Sequence, residues 1–221
     1  MRTRAIALLL SLLLTACGPT MHGYALRQPR HDESRRVGEI LDPLLMALEL
    51  PSLRTIIASK GCKIGFAIVR TDRVNVWGSP ATAAPCLYFT LLLTEGALKI
   101  PRDQLMATIA HELGHLVLRH TPQSDGPTLT VPAERWRAIQ AQELEADRFA
   151  IALLKQTRIV YRVGSCEAMA RFLRRSVPDW YGTTISARMD QAISQRAESA
   201  DADCASPDVA PLRPTPAAAV P

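Results

Sequence analysis

Aromatic residues make up only 5% of the 221-residue chain. That scarcity removes the stacking platform that a basic nucleic-acid binder interleaves with its charges. The net charge of +5 comes from scattered arginines, among them Arg27, Arg30, Arg35, Arg36, Arg174 and Arg175. It predicts a solvated surface, or one resting near anionic headgroups, and no nucleic-acid partner. None of the five cysteines forms a CxxC pair, which argues against a cysteine-ligated metal site. No period of the solenoid kind repeats along the chain. The apolar run within residues 1–16 follows Arg2 and Arg4 and is about ten residues long, too short to persist as a spanning helix.

What is present at that end reads as processing. Residues 1–16 have the charged start and apolar middle of a secretion signal, and Leu14-Thr15-Ala16-Cys17 resembles a bacterial lipobox. Cys17 is therefore expected to carry lipid. Gly18 follows it where an aspartate would resemble an inner-membrane retention signal, so the expected location is the outer membrane, facing the periplasm. Export places Cys62, Cys86, Cys166 and Cys204 in an oxidising compartment. Four cysteines allow three pairings, and Cys62–Cys86 with Cys166–Cys204 is the one that joins neighbours in chain order.

With 48% hydrophobic residues, the chain can bury one sizeable core. Residues 17–33 are polar and broken by proline and glycine, as in a tether; 34–200 carry the domain; 201–221 are rich in proline and alanine, as in a disordered tail. Within the domain, residues 34–50 have helical apolar spacing behind Ser34, interrupted at Pro43. Residues 62–78 turn to β-branched and aromatic side chains around Thr71-Asp72-Arg73, a hairpin signal. Another strand is predicted over 86–94, then a helix led by Pro101 with Asp103 in its first turn. A long helix over 133–157 and two more, over 166–175 and 184–199, complete a mainly helical α+β domain with a small sheet beside the active-site helix.

The chemistry concentrates in "IAHELGHLVLRH", residues 109–120. On a helix, His111 and His115 share one face and can aim a ring nitrogen at one ion, with Glu112 beside them as a general base. Ile109, Ala110, Leu113, Leu116 and Val117 make the helix apolar nearly all round, hence buried, and a buried pair of imidazoles needs a partner. Gly114 costs such a helix about 1 kcal/mol relative to alanine, which a close approach to the backbone, as at a metal site, explains. Catalytic zinc takes three protein ligands and one open position. The extended pattern HExxHxxGxxH requires histidine where Thr121 stands, and His120, one place off, is expected to cap the helix or face solvent. The third ligand must come from "QELEAD". Steps of three and four put Glu143 and Asp147 on the apolar stripe of the long helix and Glu145 opposite. Glu143 suits the metal. Asp147 suits a hydrogen bond to a ligating histidine, or in the blander reading a salt bridge to Arg102 or Arg188.

"HELGHLVLRH" followed by "ELEAD" resembles the HtpX and CAAX-prenyl-protease class of zinc metallopeptidases, the HExxH plus ExxxD gluzincins, and most closely its exported BepA-type members, over about residues 60–190. The resemblance implies a minimal zincin-type domain with one zinc held by His111, His115 and Glu143, and a substrate-holding strand at Asn75, Val76 and Trp77. It implies an endopeptidase acting on misfolded or assembling envelope proteins. Such proteins carry a Ser/Thr-His-Pro turn six residues before an arginine; six before Arg188 stands Gly182, preceded by Tyr181, so the histidine is missing, and Tyr181 or Arg188 would have to stabilise an oxyanion. BepA-like helical repeats are missing too. The rival readings are a non-catalytic, zinc-stabilised lipoprotein that holds outer-membrane clients and, more weakly, an amidase of peptidoglycan peptides.

Overall fold

The computed structural model describes residues 20–21, 24–48, 64–81, 88–118, 120, 132–181 and 187–207. Cys17, Cys62, Cys86 and the tail beyond 207 lie outside them. Five strands occur among the described residues: β1 (Thr20–Met21), β2 (Tyr24–Arg27), β3 (Ile64–Val69), β4 (Val76–Ala81) and β5 (Tyr88–Thr94), in the order β1-β2-β3-β5-β4. The four from β2 to β4 make the mixed sheet, and two-residue β1 extends it through β2. β3 and β5 run parallel from Ile64↔Phe89 to Val69↔Thr94. Leu91, Leu92 and Leu93 are all buried, so β5 is covered on both faces, as a central strand must be.

The expected hairpin across Thr71-Asp72-Arg73 does not form. β4 pairs with β5 antiparallel, from Val76↔Leu93 to Ala81↔Tyr88, and takes the sheet edge, while β5 inserts between β3 and β4. The 71–73 turn docks instead on the end of β5, where the Gly96 N–H donates to the Thr71 carbonyl and a Cβ at 96 would collide with the Asp72 carbonyl. The β-branched and aromatic residues on either side of the turn do form strands, but the turn chemistry names no partner. The stretch expected to be a tether likewise supplies β1 and β2, and a helix begins at His31.

The described residues also form five α-helices: α1 (His31–Ala47), α2 (Arg102–Val117), α3 (Ala133–Tyr161), α4 (Glu167–Tyr181) and α5 (Ala187–Ala205). In α1 the residues Val37, Ile40, Leu41, Leu44 and Ala47 recur at helical spacing and are buried. Pro43 does not divide this helix. Proline leaves the carbonyl four residues back without its donor, and Arg102 Nη2 donates to that Glu39 oxygen at 3.1 Å. Arg102 is thus a helix repair, away from Asp147. At the other end of the chain, a disulfide joins Cys166 to Cys204 with Cα atoms 5.6 Å apart. Lys155 Nζ donates to the carbonyls of Asp203 and Ser206, each at 2.6 Å. These two devices carry α5 to Ala205, into the segment expected to be tail.

Arg27 explains why the N-terminal strands belong to the fold. Its guanidinium donates twice to Glu33 of α1, at 2.8 and 2.9 Å, and once to Glu95 after β5, at 2.8 Å. Glu33 is buried and also accepts from the Arg30 N–H. The Arg27 hydrogen bonds, against the opposing effect of burial, hold the Glu33 carboxyl down from 4.5 to about 2. A folded-state pKa below the unfolded one stabilises above the unfolded value, here by about 3 kcal/mol, and the contribution is lost as pH falls from 4.5 towards 2. The gap in unfolding free energy between wild type and Glu33→Gln is therefore expected to narrow by about 2–3 kcal/mol between neutral pH and about pH 2.5 in urea titrations. Parallel pH curves would contradict the clamp.

Candidate metal centre

Helices α2 and α3 cross where Gly114 meets Ala146. A Cβ on Gly114 would lie 3.1 Å from the Ala146 carbonyl oxygen and 3.2 Å from its Cα. The neighbouring helix backbone, and no ligand, is what requires glycine there. Because the crossing lies one residue from His115 and one from Asp147, it turns the HExxH face of α2 onto the ExxxD face of α3.

Three side chains meet in the gap, the glutamate turning one oxygen to each imidazole. His111 Nε2 and His115 Nε2 are 3.0 Å apart, Glu143 Oε2 lies 3.4 Å from the first and Glu143 Oε1 lies 3.5 Å from the second. A tetrahedral ion with bonds of 2.0–2.1 Å holds its ligands about 3.3 Å from one another. The triangle has the edges such an ion requires, and the donor set, two imidazoles and a carboxylate, is that of a borderline-soft divalent cation. Each imidazole also has its remote nitrogen backed. His111 Nδ1 lies 2.9 Å from Asp147 Oδ1, close but oblique to a formed hydrogen bond, while His115 Nδ1 lies 2.9 Å from His120 Nδ1. His111 and Asp147 are 7% and 2% exposed, so their contact is shielded from water.

Sequence reasoning missed Arg196 of α5. It grips Asp147 through Nε at 2.7 Å and Nη2 at 2.9 Å, and its Nη1 lies 2.8 Å from Glu143 Oε2. Asp147 therefore faces both a histidine and an arginine, and the arginine is Arg196, while Arg102 is engaged at Glu39. The available signal was weak: Ile193, Ala197 and Ala200 form the buried stripe of α5, and Arg196 stands at its margin. Six residues before Arg196 stands Asp190, which is exposed. The side chains of Tyr181 and Arg188, at the end of α4 and the start of α5, and residue Gly182 lie outside the described set.

Glu112 points from α2 toward the sheet edge. Its Oε2 accepts the Gly78 N–H of β4 at 2.7 Å, which places Val76 and Trp77 next to the site, with Asn75 just before the strand. Outward-facing N–H groups of β4 are scarce. Gly78 serves Glu112, the Val76 N–H donates to Asn75 Oδ1 at 2.9 Å, and Pro80 has none. In an antiparallel ladder, positions 76, 78 and 80 face away from β5 together, so this edge offers carbonyl acceptors.

The side chains also set the proton balance. Burial pushes Glu112 up to about 7, against smaller opposing effects of His111 and the Gly78 N–H. Burial lowers the His111 pKa, but Asp147 and Glu143 outweigh it and hold the ring protonated up to about 10. His115 is pushed down to about 3 by burial and by the charge on His111. Burial would raise Glu143 and Asp147, yet Arg196 and His111 keep both well below the usual carboxylate range. A protonated His111 thus sits between two ionised carboxylates.

Among the described residues, the cluster His111, His115 and Glu143 could hold a metal ion, and no helix is long and apolar enough to cross a membrane. No protein-family model, curated protein or solved structure matches this chain.

Proposed function

We propose that the chain is a zinc-dependent endopeptidase of the bacterial cell envelope, tethered by lipid on Cys17 and cleaving misfolded or assembling proteins. The observation that carries this reading is the His111, His115, Glu143 triangle with Glu112 alongside it and outside the ligand set. A divalent cation held there supplies a Lewis acid for a carbonyl and makes water more acidic. Glu112 Oε2 is fixed by Gly78, which leaves Oε1 to take a proton from water and return it to the leaving amine. An extended substrate fits beside β4 by donating its own N–H groups to the outward carbonyls of that edge, which reads backbone more than side chains. The Cys166–Cys204 pair supports an oxidising compartment.

Metal analysis with cleavage of an unfolded casein-type substrate tests the proposal. Wild type is expected to hold one zinc and to cut; Glu143→Ala is expected to lose both. Cleavage that survives chelation and the variant alike would refute it. The absence of histidine at Asp190 and at Gly182 favours one second reading, a zinc-held lipoprotein that binds outer-membrane clients without cutting them. It predicts that client proteins are bound but never shortened at saturating zinc.

A further inference from the structure

The ring of His120 has work beyond the helix end. Its backbone N–H already caps α2 by donating to the His115 carbonyl at 2.8 Å, and that cap needs no particular side chain. Yet the side chain is only 7% exposed. The imidazole turns back so that its Nδ1 meets His115 Nδ1 at 2.9 Å, the rings 5.0 Å apart at 72°. Its other nitrogen lies 3.1 Å from Glu145 Oε2.

Tautomers decide what this chain of contacts does. A histidine that binds a cation through Nε2 keeps its lone pair there and carries its one proton on Nδ1. His115 then donates to His120 Nδ1. His120, accepting at Nδ1, carries its proton on Nε2 and donates to Glu145. A single proton arrangement satisfies every contact, running from carboxylate to imidazole to imidazole to ion. It parallels the shorter support of His111, whose Nδ1 lies 2.9 Å from Asp147 Oδ1 in an oblique contact. We infer that His120 is the positioning residue of His115 and that Glu145 anchors it, so that all three acids of "ELEAD" serve one site although Glu145 lies on the far side of α3. The inference rests on the metal-centre reading.

Zinc affinity by chelator competition, and the visible absorption of the cobalt-substituted full chain, test it in wild type, His120→Asn, His120→Gln, His120→Ala and Glu145→Gln. Asparagine can place an acceptor near the Nδ1 position; glutamine reaches only the Nε2 position. Wild type and His120→Asn are expected to bind zinc within a few-fold of each other with matching cobalt spectra. His120→Gln and His120→Ala are expected to bind about 10–100-fold more weakly, with shifted spectra, and Glu145→Gln to fall between. If His120→Ala does not fold, the contrast between Asn and Gln decides alone. Wild-type affinity and spectrum in His120→Gln would overturn the inference and leave His120 a cap. Failure of wild type itself to bind zinc would remove the metal centre, a different result from any variant effect.

Discussion

Glu112→Gln is expected to keep one zinc per chain and to cut an unfolded polypeptide about 10²–10⁴-fold more slowly, the usual contribution of a positioned general base. Glutamine has the same shape and retains an oxygen to accept the Gly78 N–H, now 2.7 Å from the carboxylate, so the α2–β4 contact survives. What disappears is the capacity to bind a proton. Burial lifts the native carboxyl to about 7, near the pH at which a base both accepts and returns protons readily. A buried amide in that place has no such pKa. The measurement pairs turnover with metal content, because a loss of both would trace to the site's integrity and a loss of turnover alone to the base. Undiminished turnover with zinc retained would take the proton-transfer role away from Glu112. Glu112→Asp adds a geometric control, since a shorter side chain keeps the charge and gives up the reach to Gly78.

The site was more legible in the sequence than the sheet, for a physical reason. HExxH and ExxxD are contacts between residues one helical turn apart, and the 3.6-residue period projects them onto one face whatever the tertiary fold does. Spacing alone puts His111 with His115 on one face, and Glu143 with Asp147 on another. Strand partners are set by long-range packing. β3 and β4 looked like a hairpin because a polar turn separates them, but β3 pairs with the leucine-rich β5, which burial drives to the sheet centre, and β4, with Pro80, suits the edge. β1 and β2 are too short to show a period, and their hold on the fold is the Arg27 clamp, which joins residues 68 apart in sequence. Position 120 is off the metal-facing stripe, which points to a cap or a surface residue; its backbone does cap, but its ring is buried and reaches back beyond the helix end, where helical periodicity no longer applies.

Arg196→Ala is expected to show the largest loss of stability, about 3–5 kcal/mol in the metal-free protein, as for other buried ion pairs broken from one side. From α5 the arginine reaches both Glu143 and Asp147 of α3. Asp147 is 2% exposed; without the guanidinium its charge is left to the oblique contact with His111, and Glu143 loses the neighbour at 2.8 Å. Arg196→Lys keeps a charge but cannot make the two-pronged bond to Asp147, so it is expected to recover only part of the loss. Metal separates this account from simple packing. Glu143 is both an arginine partner and a triangle vertex, so zinc in excess neutralises in Arg196→Ala what the arginine neutralised before. Binding to the folded state alone stabilises by about 2.7 kcal/mol at a hundred times the dissociation constant. Guanidinium titrations with and without zinc should therefore show a metal-dependent recovery in Arg196→Ala at least as large as in wild type. A variant whose deficit is untouched by zinc would mean that Arg196 serves the α3–α5 packing and not the charge balance of the centre.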